Sequence, residues 1–198
     1  MRSAVYLNDL GVVCAMGADR SAVRDTLFAD APGGLVACDD ILPGRTLMLG
    51  RVESALPVLD DVPVDLRGRN NALLRAALAP LRSTLDKAIA RHGAARVAVV
   101  IGTSTSGIGE SEQALRMHHA HQQWPVDFHY GQQEMGAAAR FVRHEIGAQG
   151  PAWTLSTACS SSAKALMSAA RLLQSGLADV VVAGGADSLC RLDRKSTR

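Results

Sequence analysis

Aromatic residues are scarce, at 4% of the 198 positions. That is too few for the stacking platforms that hold single-stranded nucleic acid. Lysine is scarcer still: only Lys87, Lys164 and Lys195 stand among the 21 basic residues, and the rest are arginine. The formal net charge is only +2, so no basic footprint for a nucleic-acid partner is present. No run of about 18 apolar residues occurs, which excludes a helical membrane span. Met1 to Gly11 lacks the apolar centre of a secretory signal, so a cytoplasmic location is expected. The four cysteines, Cys14, Cys38, Cys159 and Cys190, form no C-x-x-C pair. Their spacing argues against a disulfide framework or a zinc knuckle, and reduced thiols are expected.

What is present fits a folded chain. Apolar residues make up 47% and charged residues 20%, ample for a core and too apolar for disorder. The length suits one domain or one half of a larger one. A globular domain is expected over 1–192. The last six residues, Asp193 to Arg198, are polar or charged and follow an apolar run abruptly. They match a translated frame of a common sequencing adapter and are expected to be a non-native tail. Without them three bases and one acid leave the count, and the two signs balance.

Periodicity assigns the elements. Val5 to Leu7 and Leu10 to Val13 read as a strand or bent hairpin. Asp19 is placed to cap a short helix from Arg20 to Phe28. Pro32-Gly33-Gly34 marks a turn, and residues 35–66, interrupted by Pro43, Pro57 and Pro63, read as loop-rich with short strand-like runs such as Leu47 to Val52. Leu74, Leu78, Leu81, Leu85 and Ile89 form one helical face, which Pro80 should kink and Gly93 should end. Val97 to Ile101 has the continuous apolar character of a buried parallel strand. A small-residue loop, Gly102 to Gly109, and a polar helix near Glu110 to Ala120 follow. Met135, Ala138, Val142 and Ile146 make another helical stripe closed by Gly147. A strand at Trp153 to Ser156, a helix from Ser160 to Gln174 and a strand at Val180 to Ala183 complete the series. Strands alternating with helices in this way indicate an α/β layered fold with a mostly parallel sheet.

Cys159 has the setting in which chemistry is expected. It falls between a buried strand and the first turn of a helix, at the end of the sheet where α/β folds bind ligands. A helix N-terminus favours a thiolate, and its free N–H groups suit an oxyanion formed on an attacked thioester. Such a cysteine is fitted to nucleophilic acyl transfer; the alternative is a small packed thiol, the role expected of Cys14, Cys38 and Cys190. Ser161-Ser162-Ala163-Lys164 also fits the S-x-x-K pattern of serine hydrolases, without the accompanying S-D-N or K-T-G elements. Gly102 to Gly109 lacks the spacing of a phosphate-binding loop, and its small residues are expected to permit close backbone approach or leave room for a substrate. His118, His119 and His121 diverge on a helix and read as a solvated face rather than a metal site. His92, His129 and His144 show no partner in the sequence.

At Thr157-Ala158-Cys159-Ser160-Ser161-Ser162 a specific resemblance appears. The segment resembles the nucleophile motif of the β-ketoacyl-acyl carrier protein synthases, condensing enzymes of the thiolase superfamily. Leu10 to Gly17 resembles that family's opening strand and turn, Val99 to Gly109 its Gly-rich loop, and Ala178 to Asp187 its "AD-hydrophobic-AGG" strand, all in order. The resemblance implies the N-terminal half of a duplicated thiolase-like fold. It also implies acyl transfer from a carrier-protein phosphopantetheine to Cys159, then decarboxylative condensation with malonyl-acyl carrier protein, with no metal or redox cofactor. Acyl carrier protein is the implied partner and a homodimer the implied state, with neither nucleic acid nor membrane involved. The family's catalytic histidines, a supporting lysine and the second oxyanion donor belong to a C-terminal half. None of the six histidines here stands in those contexts, so Cys159 alone carries over as catalytic, with Thr105 lining or gating the acyl pocket. The chain alone is therefore expected not to condense. Fatty-acid, polyketide and aryl-polyene synthases all remain open as the pathway. So do two other roles, a chain-length-setting partner subunit and a thiolase acting on acyl-CoA.

Overall fold

The computed structural model describes residues 4–30, 33–42 and 44–191. The expected tail 193–198, its boundary Leu192 and the turn markers Pro32 and Pro43 lie outside the described residues. In chain order the elements are α1 (Arg20–Leu27), β1 (Leu35–Leu42), β2 (Arg45–Gly50), α2 (Arg69–Leu78), α3 (Arg82–His92), β3 (Val97–Gly102), α4 (Ile108–His121), α5 (Ala137–Ile146), β4 (Ala152–Leu155), α6 (Ser161–Gln174) and β5 (Val180–Gly185). Short 3-10 turns join some of them, including one at Ala79–Leu81.

β3 has no polar side chain and is buried along its whole length. It is the middle strand of a parallel sheet ordered β4-β3-β5, with Val99 opposite Ala152 on one side and Val97 opposite Val180 on the other. Successive side chains of a strand point to opposite faces, and here each face meets its own layer. Val97, Val99 and Ile101 join Leu74, Leu78, Leu85, Phe141, Val142 and Ile146 from α2, α3 and α5. Ala98 and Val100 join Ala165 and Leu172 of α6. The result is a helix–sheet–helix sandwich, the arrangement that buries a parallel sheet on both sides.

Local chemistry explains the element ends. Asp19 Oδ1 accepts from the N–H groups of Ser21 and Ala22 at 2.8 and 3.0 Å, capping α1 as expected. Pro80 ends α2 and occupies the 3-10 turn before α3, because it lacks the N–H and clashes in a helix interior. Gly93 and Gly147 stop α3 and α5 with φ of +82° and +72°, values that only glycine takes without strain.

Two expectations at the N-terminal side are corrected. Val5 to Val13 forms no strand. Tyr6 and Leu7 are exposed, and among the described residues no strand runs beside them to take up their backbone groups. Instead Cys14 and Gly17 exchange N–H···O bonds of 2.9 and 3.1 Å. The loop-rich stretch contains an antiparallel hairpin, β1 with β2, pairing Cys38 with Leu47 and turning at Gly44, whose φ is +75°. Its first strand, Leu-Val-Ala-Cys-Asp-Asp-Ile-Leu, does not alternate polar with apolar, so the period-2 signal is missing.

Opposite the strand ends that carry Cys159, Arg96 pins β3 to β5. Its guanidinium donates to both carboxylate oxygens of Asp179 at 2.9 Å and to Gly176 O at 2.8 Å, while Asp179 N–H donates to Arg96 O. The hydrogen bonds and charge of Arg96, with His92 beyond it, hold the Asp179 carboxyl below its ordinary range. A carboxyl depressed in the folded state adds stability above its unfolded pKa and loses it as pH falls through the folded value. Asp179→Asn should therefore lower stability at neutral pH and flatten its fall below about pH 4, as read from urea midpoints across that range; an unchanged acid limb would remove Asp179 from this role.

Candidate active site

β4 delivers the chain to the mouth of the sheet, and after five intervening residues α6 begins. In between, Ala158 takes φ +52°, a left-handed conformation that disfavours any residue with a β-carbon by roughly 1–2 kcal/mol. Hydroxyl groups hold it there. The Thr157 N–H donates to Ser161 Oγ at 2.9 Å, and Ser161 Oγ donates to Ala158 O at 2.7 Å. Ser104 Oγ, from the loop after β3, donates to the same Ala158 O at 3.1 Å. Ser160 Oγ donates to Thr157 O at 2.8 Å. The sharp bend presents the next residue, Cys159, outward, and it is the one exposed cysteine of the four. Cys38 and Cys190 are buried and Cys14 half-buried, as their packing role requires. The S-x-x-K alternative loses its geometry: Ser161 is buried, its hydroxyl is engaged by the turn, and Lys164 is exposed with no bond to it.

The turn lies directly on the sheet because two strand ends lack side chains. A β-carbon on Gly102 would lie 2.6 Å from the Ser161 carbonyl oxygen and as close to the Ser162 nitrogen. One on Gly185 would strike Ser162 Oγ and approach Gly102 O to 2.9 Å. The small residues expected to permit close backbone approach do so here.

Thr105 is buried in the Gly-rich loop. Its hydroxyl donates to Asp187 Oδ1 at 3.1 Å and accepts from Ser188 N–H at 3.1 Å. Asp187 Oδ1 also accepts from Ser104 N–H at 2.6 Å, Thr105 N–H at 3.1 Å and Thr103 Oγ1 at 3.1 Å. Asn70, at the start of α2, donates to Thr103 Oγ1 at 3.4 Å. One carboxylate oxygen thus ties the loop after β3 to the segment after β5, and Ser104 carries that order to the cysteine turn. The sequence places Asp187 within the last motif without giving it a role; its position just past the second Gly of an apolar strand, half-buried in the structure, was the available signal. Elsewhere, His118 stacks on Trp124 with ring centroids 4.3 Å apart, and His129 has partners after all, its Nδ1 accepting from Gly131 N–H at 3.0 Å. The carboxyls held below their ordinary range, Asp9, Asp19, Asp61 and Asp179, form hydrogen bonds and ion pairs away from this site. The cleft of about 670 Å³ lined by Asp9, Leu10, Arg20 and Pro80 does not include Cys159. On α6 the apolar side chains of Leu166 and Met167 stand 43% and 54% exposed, a face with no partner among the described residues.

Residues 70–194 match the family model described as β-ketoacyl synthase, N-terminal domain. The chain belongs to the β-ketoacyl synthase family. The chain is 27% identical over 195 residues to nodulation protein E of Rhizobium sp. strain N33, covering 95% of the chain and 48% of that protein. It is 27% identical over 197 residues to the tetracenomycin polyketide synthase ketoacyl synthase alpha subunit of Streptomyces glaucescens, covering 93% and 46%. A solved structure of a ketosynthase in complex with its chain length factor, from Xenorhabdus doucetiae, matches with a TM-score of 0.87 and 40% identity over 95% of this chain and 48% of that one. The chain spans about half the length of the curated relatives it matches. Its layers are the N-terminal half of a thiolase-like fold, as the resemblance implies.

Alanine at either close-approach glycine should push α6 off the sheet, at a cost of about 1–3 kcal/mol for overpacking. Gly102 faces fixed backbone, whereas Gly185 first meets a hydroxyl that can rotate. Gly102→Ala should therefore lower the urea midpoint of the full-length protein more than Gly185→Ala; the reverse order would show that the Ser161 carbonyl can move freely.

Proposed function

We propose that this chain is the nucleophile-bearing half of a β-ketoacyl-acyl carrier protein synthase and that Cys159 accepts the acyl chain. The observation that carries this is the exposed thiol on a left-handed turn at the mouth of a parallel sheet, in a domain of the ketoacyl synthase family. The Cys159 sulfur attacks the thioester carbonyl of an acyl chain borne on carrier-protein phosphopantetheine. The oxygen of the tetrahedral intermediate takes hydrogen bonds from backbone N–H groups, that of Cys159 among them. Its collapse breaks the bond to the phosphopantetheine sulfur, which leaves as a thiol, and the acyl chain stays on Cys159 as a thioester. Malonyl on a second carrier protein then loses carbon dioxide, and its carbanion attacks that thioester. A 3-oxoacyl chain two carbons longer is released on the carrier, and the Cys159 thiolate is regenerated. No metal or redox cofactor is needed for this sequence, and the carrier protein is the partner.

The histidines and second oxyanion donor of the condensation step come from the other half. The partly exposed Leu166 and Met167 on α6 support a covering half, since burying what remains exposed of each would contribute about 1 kcal/mol. The loop anchored by Thr105 and Asp187 lines the acyl pocket. The full-length protein pairs with a second subunit of its own fold through an edge strand of the sheet, as a homodimer or with a different subunit. Relatives named as polyketide synthase components favour a polyketide-type product over a fatty acid.

A second reading, a chain-length-setting subunit, is favoured by the complex of a ketosynthase with its chain length factor. Cys159 separates the two. Incubated with acyl-loaded carrier protein, the full-length protein should gain one acyl mass on the peptide that contains Cys159. Cys159→Ala should reduce that transfer by at least about a thousandfold, the scale on which loss of a covalent nucleophile acts. Transfer that persists in Cys159→Ala would overturn the assignment, and a protein never acylated would favour the chain-length role.

A further inference from the structure

The residue two places after the cysteine makes contacts that packing alone does not explain. Ser161 is 2% exposed and is the first residue of α6, whose N-cap position belongs to Ser160. Its hydroxyl bridges backward across the turn, accepting from Thr157 N–H at 2.9 Å and donating to Ala158 O at 2.7 Å. Those two backbone groups flank the bend that carries Ala158 at φ +52°. Ser104, on a different loop, places a second hydroxyl on the same Ala158 carbonyl at 3.1 Å, beside the Ser161 N–H that also donates there at 3.1 Å, and its own N–H is fixed by Asp187.

We infer that Ser161 is a positioning residue for Cys159, a clamp that with Ser104 holds Ala158 in the left-handed conformation and so aims the thiol. The role rests on Cys159 being the acyl-accepting nucleophile. An alanine left to itself leaves the left-handed region, because its β-carbon crowds the following carbonyl oxygen. Rotation at Ala158 swings the Cβ–Sγ bond of the next residue, and a displacement of about 1 Å in a reacting atom reduces rate by up to about a hundredfold. Glycine takes positive φ without that penalty. A turn with glycine at 158 would therefore no longer need the clamp.

The full-length protein provides the test. Ser161→Ala should slow acyl transfer to Cys159 from acyl-loaded carrier protein by about ten- to a hundredfold in kcat, with KM for the carrier unchanged. Adding Ala158→Gly to Ser161→Ala should restore most of the rate. A hydroxyl that contacts the substrate, or merely packs, would not be rescued by a change of backbone preference two residues away. Alkylation of Cys159 by iodoacetamide is measured on the same variants, since it reads the thiol's placement whether or not the protein transfers acyl groups. A wild-type protein that is alkylated but never acylated contradicts the nucleophile assignment and leaves the clamp to be judged on alkylation. Wild-type rates in Ser161→Ala, or slowed rates that Ala158→Gly fails to restore, would overturn the clamp. Should Ser161→Ala fail to fold, Ser104→Ala removes one of the two hydroxyl donors to Ala158 O and leaves the backbone bond from Ser161 N–H in place. A smaller slowing that Ala158→Gly relieves then supports the clamp, and no slowing overturns it.

Discussion

Everything at the mouth of the sheet depends on one close approach between backbones. Gly102 ends the central strand, and the first turn of α6 rests on it with no β-carbon between them. Gly185 makes the same allowance one strand over. A helix in van der Waals contact with a sheet is ordinarily held off by a layer of side chains, and here that layer is missing at one end. The cysteine turn consequently sits on rigid, hydrogen-bonded strands rather than on a loop. Side chains held this way keep their geometry without a ligand present.

The polar groups around the turn form a second level of order built on that contact. Asp187 gathers four donors onto one oxygen, and the loop it fixes supplies Ser104 to the carbonyl of Ala158. A charged acceptor makes these bonds stronger than neutral ones. The residues involved come from the ends of β3 and β5 and the start of α6, three points distant in the chain and adjacent in space. A bend that is unfavourable for alanine on its own is thus fixed by groups from both neighbouring segments.

The legibility of this molecule in its sequence follows the range of the forces involved. Buried strands and amphipathic helices were readable because their patterns are local: Val97 to Ile101 has no polar side chain, and Leu74, Leu78 and Leu85 recur on one helical face. Caps and stops at Asp19, Pro80, Gly93 and Gly147 were readable for the same reason, each acting within a turn of itself. The hairpin at Leu35–Gly50 was not, since its first strand lacks alternation. The N-terminal segment misled in the other direction: Val5 to Leu7 has strand-like residues, but strand formation needs a neighbour that composition cannot reveal. At the site, Cys159 was visible from its place between strand and helix. The bonds of Ser104, Ser161 and Asp187 were not, because serines and an acid near a turn look alike whether they face water or one another. His129, without a partner in the sequence, binds a backbone N–H two residues on, a contact set by local φ and ψ rather than by residue type.

β3 belongs to two cores at once. Val97, Val99 and Ile101 face one and Ala98 and Val100 the other, so the strand is the middle of a wall, continued by β4 and β5, between two compartments. Protein interiors are close-packed and compress little. A side chain enlarged on the α5 face therefore shifts the wall itself, and the shift arrives under α6 on the far side. Size and shape in the core beneath Phe141 are in this way mechanically linked to the seat of the cysteine turn, and substitutions in either compartment are expected to be felt as changes in aim as well as in stability.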